Sequence, residues 1–192
     1  MKNLTKWILS ATLIASLAAF TGGTPTDARE IEPGDFNGRS VSFRSILDPS
    51  KVLAVEHSQR TEVFLTSFTN RDSQIWRLMY SGPFQSYMIY PYDIRGGFFA
   101  ELPDQGEGIV GMITGLNGNE QWHLVLAGKY NNEQAYYLEN RESGRVLSIA
   151  DPNSSALFTS RLEEMESQKF FVRRETSTGP EQIHKNSPYL SY

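Results

Sequence analysis

Three short triplets recur along this chain at nearly constant spacing, and they limit its folding more than any other feature. Gln74-Ile75-Trp76, Glu120-Gln121-Trp122 and Gln168-Lys169-Phe170 are separated by 46 and then 48 residues. The same two offsets connect Phe43 with Ile89 and Tyr137, Leu53 with Phe99 and Leu147, Val63 with Ile109 and Leu157, and Leu78 with Leu124 and Val172. Together with the triplet aromatics, all these positions are apolar. Leu53, Phe99 and Leu147 each lie 23 residues before the aromatic that ends their triplet. Spacing inside the unit is thus kept even though one copy is longer. A repeat of this length is one supersecondary unit, unable to bury its apolar face alone.

Each copy of about 47 residues holds short runs rich in β-branched and aromatic residues, among them VSFRSIL, VFLTSF, YMIYPY, AYYLEN and KFFV, broken by Gly, Pro, Asn and Asp. No apolar period of 3.6 persists for three turns beyond residue 28, and Arg161 to Ser167 reads as a loop or single turn. Pro49, Pro91, Pro103 and Pro152 fall at comparable loop regions, where a missing N–H costs no ladder bond. The expected fold is all-β, a β-trefoil whose three copies close around a pseudo-threefold axis. Trp76, Trp122 and Phe170 are its structural core, each contributing at most roughly 1.5–3 kcal/mol by transfer. Strand alternation places His123 outward and Leu124 inward. Gln74, Glu120 and Gln168 are expected to tie a turn of the neighbouring copy.

Lys2 and Lys6 precede the apolar stretch Trp7 to Phe20, too short to span about 30 Å of hydrocarbon comfortably. It reads as a signal peptide within residues 1–28, cut before Ala19 or before Arg29. A linker over 29–37, the repeat domain over 38–175 and a polar tail over 176–192 complete the expected organisation, with no membrane span in the mature chain. There is no Cys, which excludes disulfides, thiolate nucleophiles and thiolate metal sites. Export without disulfides fits a bacterial secreted or periplasmic protein. Eighteen Lys and Arg against 22 Asp and Glu give a net charge of −4. A phosphate polymer therefore finds no basic footprint, and nucleic acid is excluded as a partner.

The triplets, together with Tyr136 to Ile149 (YYLENRESGRVLSI), resemble those of the ricin B-chain-like lectin family over about residues 38 to 175. That resemblance implies the trefoil fold and a non-catalytic, glycan-binding function directed at a glycosylated host surface, with no metal and no cofactor. A sugar-binding copy in the family has an Asp after the Leu of its second strand, an aromatic platform about twelve residues before the Trp, and a polar residue beside the Gln. Here the Asp slots hold Ala54, Ala100 and Ser148, the platform slots Phe64, Val110 and Phe158, and the polar slots Ser73, Asn119 and Ser167.

Without the Asp, a charge-assisted contact is lost, so galactose binding of the family's usual kind is not expected. Phe64 and Phe158 can stack on a pyranose ring, with Glu62, Asp151 or Asn119 adding polar contacts; a one-residue change in strand phase would instead put both rings in the core. Asp151 before Pro152 also reads as a turn residue. Tyr90 and Tyr92 form either a second exposed aromatic patch or part of the packing. For catalysis the sequence offers little: His57, His123 and His184 are scattered, and neither a nucleophile elbow nor a phosphate-cradling loop is present. A shorter resemblance, Val41 to Ile46, is to the first strand of trefoil accessory subunits of cytolethal distending toxins, which implies other toxin subunits as alternative partners.

Overall fold

The computed structural model describes residues 30–56, 62–92, 97–151 and 153–176. The expected signal segment, all but the first residue of the expected tail, His57, Pro152 and His184 lie outside them. Among the described residues the elements are strands and short 3-10 turns, and no helix is long and apolar enough to cross a membrane. The first half holds β1 (Ser40–Ser45), β2 (Lys51–Val55), β3 (Val63–Ser67), β4 (Trp76–Ser81), β5 (Ser86–Pro91) and β6 (Phe98–Glu101). The second half holds β7 (Val110–Ile113), β8 (Gln121–Tyr130), β9 (Glu133–Asn140), β10 (Val146–Ile149), β11 (Leu157–Ser160) and β12 (Phe170–Arg174).

Six of these strands close a barrel. Antiparallel pairing runs from β1 to β4, β5, β8, β9 and β12, and β12 returns to β1 through Val41↔Arg174 to Ser45↔Phe170. Closure leaves the wall without a free edge. The other six strands form three hairpins, β2–β3, β6–β7 and β10–β11.

The 23-residue spacing has a physical cause in this arrangement. Trp76 Nε1 donates to the Leu53 carbonyl at 3.0 Å, and Trp122 Nε1 donates to the Phe99 carbonyl at 2.7 Å. Each indole thus pins the hairpin preceding it to the barrel wall while its ring fills the interior. Trp122 stacks on Phe99 with centroids 4.7 Å apart, Phe99 meets Trp76 at 5.9 Å, and Trp76 meets Phe43 edge-on at 6.5 Å. Trp76, Trp122 and Phe170 are all fully buried in one cluster. His123 is half-buried and Leu124 fully buried, as alternation requires.

Four expectations need correction. Tyr137 is not the counterpart of Phe43 and Ile89. Phe43 pairs with Val172, Ile89 with Leu78 and Leu138 with Leu124, so Leu138 holds the interior position and Tyr137 packs in a separate cluster with Val125 and Val146. The cause is a bulge in β8 between Leu126 and Gly128, in a hairpin longer than β4–β5 and turned by Asn131 and Asn132 at φ 52° and 65°. Ile109 is likewise exposed, and Val110 takes the place matching Val63 and Leu157. The closing pair Glu101↔Val110 spans one residue more than Val55↔Val63 or Ile149↔Leu157.

The glutamines bind their own turns, not a neighbour's. Gln74 accepts from the Thr69 and Arg71 amides at 2.7 and 3.4 Å and donates to the Ser67 carbonyl at 2.7 Å. Gln168 accepts from the Glu163 amide at 2.9 Å and donates to the Arg161 carbonyl at 2.7 Å. An amide both donates and accepts, so one side chain can satisfy a tight loop leading into its own strand. Finally, residues 30–37 do not behave as a linker. Ile31 bridges Val125, the Leu126 amide donates to the Glu30 carbonyl at 2.8 Å, and Phe36 enters the core edge-on to Tyr136.

Candidate functional site

The three hairpins clasp one another. The Leu65 amide of β3 donates to the Ser155 carbonyl in the β10–β11 loop at 2.9 Å, and the Thr159 amide of β11 donates to the Gly108 carbonyl in the β6–β7 loop at 2.7 Å. Leu65 and Thr159 occupy matching rungs, opposite Leu53 and Leu147. A third link is the bridge between Glu62 and Gly111. Gly108 needs to be glycine on two counts: its φ is +79°, and a Cβ there would lie 2.6 Å from the Thr159 carbonyl oxygen.

This clasp fixes where the candidate residues stand. Phe64 pairs directly with Ala54, and Phe158 directly with Ser148, so each ring shares a sheet face with its Asp-slot residue. Both rings are half-buried, whereas Ala54, Ala100 and Ser148 are buried at 1% exposure or less. In the middle hairpin Ala100 pairs with Gly111, not Val110, so the platform position there is a glycine and carries no ring. Glu62 is exposed, two residues before Phe64 on the same face, and its bridge brings it beside Gly111.

Asp151 is a turn residue: its carboxylate accepts from the Asn153 amide at 2.7 Å and its carbonyl from the Ser154 amide at 2.8 Å. Asn119 is half-buried, and its carbonyl accepts from the Asn140 side chain at 2.7 Å and from the Glu101 amide at 3.2 Å. The structure therefore groups Glu62 with Phe64 on the first hairpin and Asp151 with Phe158 on the third. The bond from Leu65 to Ser155 joins those two hairpins along one seam, while Asn119 belongs to the loop after β7.

The buried carboxylate nearest a slot is Glu101, next to Ala100. It accepts from Thr159 Oγ1 at 2.7 Å and from the Ser143 hydroxyl, with Arg145 at 3.9 Å. These bonds tie the second hairpin to the third and leave Glu101 a structural acceptor. Among the described residues, no group of three His, Asp or Glu is placed to hold a metal ion. Tyr90 packs edge-on against Phe98 at 6.1 Å, the Arg77 guanidinium lies 4.7 Å over Tyr92, and both tyrosines are half-buried.

At the level of sequence, no family model and no curated protein matches the chain. Solved structures do match. A designed threefold-symmetric protein, ThreeFoil, aligns with TM-score 0.60 and 19% identity over 71% of this chain and 99% of its own. The Macrolepiota procera ricin B-like lectin, solved in complex with lactose, aligns with TM-score 0.60 and 11% identity over 72% of this chain and 97% of its own. The fold is like that of the ricin B-like lectins. A mosquitocidal holotoxin aligns at TM-score 0.64 and 17% identity, over 72% of this chain but only 17% of that toxin's length. At these identities the likeness to ricin B-like lectins is one of fold.

A second polar centre, at the strap formed by residues 30–37, has no signature in the sequence. Glu32 is buried, and its carboxylate accepts from the Asp35 amide at 2.6 Å, the Gly34 amide at 3.2 Å and the Tyr87 hydroxyl. Burial and the bond to Glu32 push the Tyr87 phenol far above its ordinary value. Burial, with Glu32 and Asp35 nearby, pushes Tyr136 up to about 12. Glu32 and Tyr87 are 55 residues apart, and no local pattern links them.

Proposed function

We propose that this chain is a secreted, non-catalytic β-trefoil of the ricin type, one β unit in three copies about a pseudo-threefold axis, that binds carbohydrate at shallow sites on its hairpins. Phe64 and Phe158 are the platforms; Glu62 and Asp151 are the polar contacts beside them, and Asn119 is the polar group of the middle copy. The observation that carries this reading is the pairing of each ring with its slot residue, Ala54↔Phe64 and Ser148↔Phe158. Ligand approaches over a half-buried aromatic face, as the family's chemistry requires, but finds no carboxylate at the slot. Stacking, with hydrogen bonds to Glu62, Asp151 and Asn119 outside the slot, then carries the affinity, which is weak per site and raised by multivalency.

The test is a broad glycan array followed by calorimetry on the mature protein. At least one glycan is expected to bind, and the double variant Phe64→Ala, Phe158→Ala to lose at least about tenfold, or about 1.4 kcal/mol. Silence of the folded protein across the array would overturn the reading.

A second reading, that the chain is the receptor-binding or accessory subunit of a secreted toxin acting through protein contacts, draws support from the holotoxin likeness, in which a fold of this size occupies 17% of a larger chain. Under it, binding to host cells survives enzymatic removal of their surface glycans; under the lectin reading it is abolished.

A further inference from the structure

Away from the hairpins, a cleft of about 240 Å³ opens beside the strap, lined by Ile31, Glu32, Pro33, Tyr80 and Gln85. Its floor is rigid. The Glu32 carboxylate is fixed by two backbone amides and the Tyr87 hydroxyl, and its Oε1 has a single bond among those described, from the Asp35 amide. The Tyr80 ring is held in turn, packed at 5.0 Å and 54° against Tyr87, with its backbone amide bonded to Asn37 Oδ1 at 2.9 Å. The strap passes so close over this ring that a Cβ on Gly34, where φ is +105°, would lie 3.0 Å from Tyr80 Cδ1. Opposite, Gln85 stands exposed at the tip of β4–β5 with φ 50°. Such a backbone disfavours a long side chain and is ordinarily filled by Gly or Asn; among the described residues Asn70, Asn131 and Asn132 fill three comparable positions and Glu164 a fourth. Keeping a glutamine there sets a two-way amide at the mouth of the cleft.

We propose that this cleft is a second carbohydrate site, specific for one neutral pyranose ring. A preorganised carboxylate oxygen accepts from sugar hydroxyls, the Gln85 amide both donates and accepts, and the Tyr80 ring with Pro33 and Ile31 covers the C–H face. The volume is below that of drug-sized pockets, which run about 300–1,000 Å³, and suits one ring better than a chain of them. The same carboxylate repels an acidic sugar. Only the ligand class rests on the lectin reading; the residues are independent of Phe64 and Phe158.

Nitrogen-15 NMR of the intact protein tests this, with methyl β-D-galactopyranoside, methyl β-D-glucopyranoside and a methyl α-sialoside as probes. A neutral glycoside is expected to shift the Gln85 side-chain amide and the sialoside to leave it unmoved. Gln85→Gly, which suits the backbone, keeps the melting temperature and weakens that binding at least tenfold, and Glu32→Gln weakens it likewise. If neutral glycosides shift only the hairpin resonances and Gln85→Gly titrates like wild type, the cleft is not a site, while the hairpin reading stands. If Gln85→Gly abolishes all binding and Phe64→Ala, Phe158→Ala none, the cleft is established and the hairpin sites are overturned.

Discussion

The first and third triplets both end in a fully buried aromatic after a buried glutamine, yet they secure their hairpins by different bonds. Trp76 reaches across with its indole N–H to the Leu53 carbonyl, and Gln74 is left to organise only its own loop. Phe170 has no N–H to give. In its copy the glutamine reaches the hairpin instead: Gln168 Nε2 lies 3.3 Å from Ser148 Oγ and 3.0 Å from Ser160 Oγ, and those two hydroxyls are 2.8 Å apart. Ser148 is the position at which the sequence resemblance leads one to look for a sugar-binding Asp. Its hydroxyl is thus explained by the core, as the anchor that stands in for an indole. The middle triplet shows a further variant. Glu120 accepts from the Asn117 and Gly118 amides at 3.2 and 2.9 Å, and the Asn140 amide, bonded to the Asn119 carbonyl, provides the donor a carboxylate lacks.

Three measurements of unfolding free energy bear on this contrast. Trp122→Ala removes the indole bond and the stack on Phe99 together, and is expected to cost about 3–5 kcal/mol; a loss below about 2 kcal/mol would deny the indole its anchoring role. Gln168→Ala is expected to cost about 1–3 kcal/mol, because buried partners are left unpaired. A loss in Gln168→Ala no larger than that in Glu120→Ala would erase the distinction between the copies. Ser148→Ala is the smallest, about 0.5–1.5 kcal/mol, and in the Gln168→Ala background its cost should largely vanish. Full additivity would show that the two side chains are not coupled.

Much of the barrel could be read beforehand because its constraints are periodic. In two of its three occurrences the 23-residue interval is the same indole hydrogen bond, and strand alternation fixes the neighbours of each indole. Fixed offsets fail where geometry absorbs an extra residue, which is why Tyr137 was exchanged for Leu138 at the β8 bulge and Ile109 for Val110 beyond the longer hairpin. The platform slot of the middle copy moved to Gly111 for the same reason. The structural roles of Glu101 and Glu32 could not be read for a different cause. Their partners, Thr159 and Tyr87, lie 58 and 55 residues away, and a lone Glu beside apolar residues carries no trace of such a partner.

Closing β1 onto β12 also frees the chain from any obligatory order. Ser40 and Glu175 are joined by a backbone bond of 2.9 Å across that seam, and the Asn131–Asn132 turn is solvent-exposed. A circular permutant with a short connector over the seam and new ends at that turn would retain every rung of the wall, since the ring of strands has no privileged starting point.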